Sequence, residues 1–217
     1  AQSRQDAIDR ISQYDGTSST TTPTLADYAN AGVSGVSVNN LLSINSAFAE
    51  IALADSNTTA SIQGVVTGYV AILLGADGQS DGDLSLTASG YVAMNLTRVD
   101  TSGKANLLNE VLDRSATSAV DTYPELQAIS HVVADIFLVS TGAQAQTPIT
   151  AARLALIGLS GVTSDNIALI VAAIAGTSDD TLGVDSLAEL QTLVDQVRTS
   201  QAAALAVISA YDGNNTA

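Results

Sequence analysis

The sequence predicts an all-α protein built from tandem helical repeats. Three observations predict it. Apolar residues recur at helical spacing, as in Leu41, Ile44, Phe48 and Ile51 or Leu187, Leu190, Leu193, Val194 and Val197. No stretch of strict apolar–polar alternation competes with these runs. A Leu/Ile-Gln pair returns at Ile62-Gln63, Leu126-Gln127 and Leu190-Gln191, each 64 residues after the last. A period of that length marks a modular array.

Composition agrees with this class. The 217 residues are 46% hydrophobic but only 4% aromatic, with no Trp, so Ala, Val, Leu and Ile must build the core. Charged residues make up 13%, about half the usual share, and leave the surface to Ser, Thr, Asn, Gln and Gly.

The elements follow in order. Gln5–Gly16 (QDAIDRISQYDG) reads as a helix closed by a Tyr-Asp-Gly stop, and Ala202–Gly213 (AAALAVISAYDG) repeats it. Each runs into a short polar linker, Thr17–Thr22 and Asn214–Ala217. Pro23, Pro124 and Pro148 stand near predicted helix starts, where proline is tolerated. Ala31–Ile44 (AGVSGVSVNNLLSI) matches Ile157–Ile170 (IGLSGVTSDNIALI) position by position. Both read as a helix end, a Gly stop at Gly32 or Gly158, a Gly-Val turn and a new helix. Val36 and Val162 are expected to plug the core from that turn. In the middle copy Ala105–Leu108 matches the Asn39–Leu42 start, Arg98 replaces the stop glycine, and the turn is expected at Thr101-Ser102-Gly103.

The long helices start after oxygen-rich clusters, Asn57-Thr58-Thr59, Asp121-Thr122 and Asp185-Ser186, which can satisfy orphan N–H groups. Glu125 and Glu189 fall in first turns, and Ser186 with Glu189 fits a capping box. The expected organisation is 1–22, the terminal helix of a preceding repeat plus linker; 23–82, repeat 1; 83–147, a diverged repeat 2; and 148–217, repeat 3. The matched ends place the chain's start in the last helix of one unit and its stop just before another. Either the chain is cut from a longer array, or this tail-first arrangement is itself the unit.

Charge restricts partners. The net charge is −15, with Lys104 as the one lysine, so phosphate backbones and anionic membrane surfaces are repelled. Of the 22 acids, 18 are Asp, which suits caps and turns. The apolar stretches Val65–Leu74 and Ile167–Ala175 are too short to span a bilayer. No cysteine is present, which removes disulfides and thiolate metal sites. Ala1–Gly16 lacks the basic start and apolar core of a signal peptide. Few lysines, many Ser and Thr and strong negative charge suit a secreted or surface-exposed bacterial protein.

The pattern PTLADYANAGVSGV, NNL, TTASIQ and AYDG resembles the Ala/Thr/Asp-rich helical repeats of very large secreted or surface-anchored bacterial proteins. Those repeats lie in tandem beside adhesin-type modules. The resemblance covers nearly the whole chain. It implies a stalk, spacer or adhesive segment whose partners are neighbouring repeats or other protein copies, and it carries no catalytic residues.

Chemistry-bearing motifs are few. In Asp77–Asp83 (DGQSDGD), Asp77, Gln79, Asp81 and Asp83 place oxygens at positions 1, 3, 5 and 7 of a calcium-type loop, with Gly82 at position 6. Position 12 is Ala88, where a bidentate Glu belongs, so calcium would bind weakly or with waters completing the shell. No other cofactor is expected. Asp179-Asp180 with Asp185 forms a second acidic loop. His131, the one histidine, reads as structural and within reach of Asp135. Gly32–Gly35 could hold an anion before a helix, but it lacks a lysine and recurs at Gly158–Gly161, which favours turn geometry. No hydrolase elbow, phosphate loop or dinucleotide fingerprint occurs, so no enzyme is expected. Three triplets, at Asn57, Asn95 and Asn214, fit the glycosylation pattern by chance. Tyr14 and Tyr211 are expected to pack near helix C-termini. The function expected is a non-catalytic structural or interaction module; the alternatives are a self-assembling protomer of a filament or surface layer and a calcium- or small-ligand-binding helical domain.

Overall fold

The computed structural model describes residues 3–177 and 183–211. Among them the protein is all-helical, with ten α-helices and no strand. The helices are α1 (Arg4–Ser12), α2 (Leu25–Ala31), α3 (Leu41–Glu50), α4 (Thr59–Gly75), α5 (Ala88–Ala93), α6 (Ser102–Asp113), α7 (Tyr123–Ser140), α8 (Ala151–Leu156), α9 (Ile167–Ala175) and α10 (Leu187–Ala210). Single 3-10 turns lie at Leu53–Asp55 and Thr117–Ala119. The chain divides into two compact units, Ala1–Val133 and Ala134–Ala217, and α7 runs through the division.

Hydroxyls start most of the helices. Ser3, Thr24, Thr58, Thr87, Thr101, Thr150 and Ser186 each accept a hydrogen bond from the backbone N–H three residues on. Aspartate serves one turn later: Asp6 and Asp27 return the bond to the cap residue's own N–H. Glu125 does the same for Thr122 ahead of α7. The expected role of aspartate as the cap thus falls largely to Ser and Thr.

α3 and α9 start differently. Asn40 and Asn166 accept from the backbone N–H groups of Ser37 and Thr163, and donate back to the carbonyls of Gly35 and Gly161. These amides bind the preceding turn into one loop.

Gly32 and Gly158 end their helices in the left-handed region, at φ +78° and +80°. Val33 N–H reaches the Tyr28 carbonyl and Leu159 N–H the Leu154 carbonyl, closing the last turn. The residue after the glycine is therefore the one driven inward. Val33 and Leu159 are buried, whereas Val36 and Val162, the expected plugs, are only half-buried.

The middle turn differs from expectation. Asn95 takes the left-handed conformation at φ +64°, and Leu96 N–H closes onto the Tyr91 carbonyl. Asn tolerates this region better than other non-glycine residues. Ser102 and Gly103 lie inside α6, and Ala105–Leu108 begins one turn into that helix.

Tyrosine fills the first unit's core. Tyr28, Tyr69, Tyr91 and Tyr123 are among its largest fully buried side chains, and each hydroxyl donates to an acceptor. Tyr28 donates to Asn45 Oδ1 at 2.7 Å and Tyr91 to Asn109 Oδ1 at 2.6 Å. Those asparagines in turn donate to the carbonyls of Pro23 and Leu86, just ahead of α2 and α5. Burial pushes all four phenols above their ordinary range. The second unit's buried hydrophobic side chains are aliphatic, among them Leu154, Ile157, Ile170, Ile174, Leu190 and Val194.

Candidate functional site

Two local arrangements gather polar groups from distant parts of the sequence. The first explains the recurring glutamine. Gln63 on α4 accepts from Ser34 N–H at 2.8 Å and donates to the Ser34 carbonyl at 3.1 Å. Gln191 on α10 holds Ser160 in the same way, at 3.0 and 3.2 Å. One amide clamps both backbone groups of the residue inside each glycine turn. The Ser34 and Ser160 N–H groups are thereby satisfied, and the turn is built around a glutamine in place of an anion. Among the described residues no such clamp joins Gln127 to the Asn95 turn, whose Leu96 N–H is held by the Tyr91 carbonyl.

The second arrangement is acidic. The segment after α4 is fixed to the α6–α7 connection: Asp77 bridges Ala116, Gly78 N–H donates to the Ser115 carbonyl, and Thr117 donates to the Ala76 carbonyl. Gln79 N–H donates to Asp77 Oδ1 at 2.8 Å, which closes a local turn. From this frame the loop brings Asp81 and Asp83 to Asp113, the last residue of α6. The ligand oxygens of these three lie within 4.8 Å of one another.

Asp113 is 4% exposed. Its Oδ2 accepts from Gly82 N–H at 3.2 Å, and its Oδ1 is buried without a partner. Arg114 donates its Nε to Ser80 Oγ at 3.1 Å, and no basic nitrogen ion-pairs with the three carboxylates among the described residues. Desolvation, then repulsion from Asp81, a side-chain hydrogen bond shared with Asp113 and repulsion from Asp113 and Asp77, hold the Asp83 carboxyl above its ordinary range. Sequence spacing pointed to Asp77, Gln79, Asp81 and Asp83. The geometry joins Asp81 and Asp83 to Asp113, a residue from another helix that no local motif could reveal.

The other sequence candidates are dispersed. Asp179 and Asp180 lie outside the described residues, as does Asn214. His131 is half-buried in α7. Asp135, buried on the same helix, pairs with Arg153 at 2.7 Å and accepts from Gln146 N–H. Asp15, in the Tyr-Asp-Gly stop after α1, accepts from Thr20 and from Thr17, which lowers its carboxyl to about 2. It organises a surface loop. Tyr211 is exposed, against the expected packing, as are Leu205, Val207 and Ile208 on the last turns of α10.

A groove of about 610 Å³ in the first unit is lined by Ser37, Asn40, Leu42, Leu74 and Asp121 among others. It offers amides, hydroxyls and bare leucines. No helix among the described residues is long and apolar enough to cross a membrane. Comparisons with protein-family models, curated proteins and solved structures found no match.

Proposed function

We propose that this chain is a non-catalytic module of tandem helical repeats, with a period of about 64 residues, within a large extracellular bacterial protein. Its work is spatial: a stalk, spacer or adhesive segment in which successive units pack on one another. One observation supports the repeat above all. The Thr24 cap, Gly32 stop, Ser34–Gln63 clamp and Asn40 brace return as the Thr150 cap, Gly158 stop, Ser160–Gln191 clamp and Asn166 brace. Four separate devices agreeing in order and geometry are not expected from composition alone. Net charge and the Ser/Thr-rich surface support an extracellular, self-repelling array.

A second reading, a self-assembling protomer, is favoured by the end of α10. Its Ala204, Leu205, Ile208 and Ser209 match Ala7, Ile8, Ile11 and Ser12 of α1 in sequence. The α1 residues are buried, and α1 packs on α2. On α10 the same positions are bare, Leu205 at 56% and Ile208 at 69% exposed. Exchange of α1 for another copy's α10 on the α2 face, as in domain swapping, would cover these residues.

Small-angle scattering tests both readings. Two copies of the chain joined in tandem are expected to reach about twice the maximum dimension of one, as repeat arrays do. Growth with only the cube root of mass would sink the array. A dilution series on the single chain addresses assembly: association that disappears in Leu205→Asp/Ile208→Asp supports the protomer, and a monomer at every concentration removes it.

A further inference from the structure

Asp113 is placed where a carboxylate is least comfortable. It closes α6, so it sits at the negative end of the helix dipole. It is buried, and Oδ1 lacks the hydrogen bond that burial demands. Two more carboxylates, Asp81 and Asp83, face it at close range. Each of these features costs stability, and among the described residues no basic side chain ion-pairs with the three carboxylates to offset them. The loop is nonetheless held in place, by the Asp77–Ala116 bridge on one side and Gly82 N–H on Asp113 on the other.

We infer that Asp81, Asp83 and Asp113 bind a divalent cation, Ca²⁺ by preference, and that the ion ties the loop after α4 to the C-terminal end of α6. One ion answers every anomaly: it supplies the missing partner of Oδ1, opposes the dipole and converts mutual repulsion into shared coordination. The donor set is oxygen alone, which selects a hard cation. No cysteine exists in the chain and His131 is on α7, so a zinc donor set is absent here. Oxygens within 4.8 Å of one another are close enough for one ion bonded at about 2.4 Å, the calcium distance, to touch all three; Mg²⁺ demands near-ideal octahedral geometry and holds its waters more tightly, which suits an irregular loop less well. Two of the three carboxylates are exposed, so waters can complete the shell. The missing twelfth-position Glu of the linear loop motif is replaced by Asp113, which comes from a different helix. The inference stands apart from the repeat reading: it concerns a site in the first unit whatever the chain's larger role.

Thermal unfolding of the whole chain, first in EDTA and then in CaCl₂ or MgCl₂ at matched ionic strength, tests it. With an affinity of about 0.1–1 mM, as extracellular calcium modules have, 10 mM Ca²⁺ is expected to raise Tm by about 3–8 °C, and Mg²⁺ by less. Asp113→Asn removes a buried charge, so its Tm in EDTA is expected to equal or exceed that of the unaltered chain while the calcium response is lost. Asp81→Ala removes one repelling charge at an exposed residue, so its EDTA Tm is expected to equal or slightly exceed that of the unaltered chain while calcium binding weakens at least tenfold by titration calorimetry. A Tm indifferent to calcium overturns the site. So does a calcium response retained in full by Asp81→Ala and Asp113→Asn, which would reveal only general screening of the −15 charge. If Asp113→Asn does not fold, Asp81→Ala still decides the matter.

Discussion

Tyr28 and Leu154 occupy the same place in two nearly identical pieces of backbone, four residues after a threonine cap and four before a left-handed glycine. Around Tyr28 the first unit uses polar tethers. Its hydroxyl donates to Asn45, and Asn45 reaches back to the Pro23 carbonyl. Leu154 is equally buried but has no polar group to tether, and the position matching Asn45 is Val171. The charges show a similar exchange. In the first unit Asp27 on α2 accepts from Arg10 on the preceding helix at 3.2 Å. In the second, Arg153 on α8 donates to Asp135 on the preceding helix at 2.7 Å. Position 27 and position 153 correspond, so the pair has reversed its polarity while keeping its place. Backbone capping sets the local fold, and several side-chain solutions satisfy what lies beneath it.

The largest expected effect separates the two ion pairs. Asp135 is fully buried, and Arg153 also donates to the carbonyls of Thr147 and Pro148. Asp135→Ala leaves a mostly buried guanidinium facing no charge, and is expected to cost about 3 kcal/mol or more. Arg10 is 41% exposed, so Arg10→Ala is expected to cost no more than about 1 kcal/mol. Urea unfolding of both variants checks this. Equal costs would mean that the reversal of polarity brought no difference in burial that matters.

The tethers come next. Asn45→Ala orphans the Tyr28 hydroxyl and the Pro23 carbonyl inside the first unit, and is expected to cost about 2–3 kcal/mol. Val171→Ala removes two methyl groups at a half-buried site and is expected to cost about 1 kcal/mol or less. Should the valine prove the more costly of the two, the second unit's aliphatic packing would outweigh the first unit's hydrogen bonds.

How much of this was legible depends on distance along the chain. Local signals read well. The Thr58 and Ser186 caps, the Gly32 and Gly158 stops and the Leu41, Ile44, Phe48 series each act within one or two turns, so a short window contains their cause. The turn at Asn95 was missed because asparagine is only an occasional left-handed residue and Gly103, nearby, looked the better candidate. Asn109 and Asp113 were invisible for another reason: their partners, Tyr91 and Gly82, lie 18 and 31 residues away, and spacing carries no signal at that range. The tyrosines could have been found. Thr24–Tyr28 and Thr87–Tyr91 share a four-residue spacing one period apart, and each precedes an asparagine by similar lengths.

The smallest effect tests the feature that the sequence displayed most openly and explained least, the recurring glutamine. Gln63 and Gln191 each clamp an exposed serine, so water can replace part of what the amide provides. Gln63→Ala and Gln191→Ala are each expected to cost about 0.5–1 kcal/mol, and by nearly equal amounts despite the different cores beneath them. The sharper readout is local. Amide exchange at Ser34 N–H and Ser160 N–H is expected to quicken severalfold in the matching variant, since each loses its side-chain acceptor. Gln127→Ala lacks a clamp to break at the Asn95 turn and is expected to leave exchange at Leu96 N–H unchanged, because that group is held by the Tyr91 carbonyl. A Gln127 variant that loosens its turn as much as the other two would show that glutamine recurs for a reason common to all three helices, and the clamp would lose its standing as the cause.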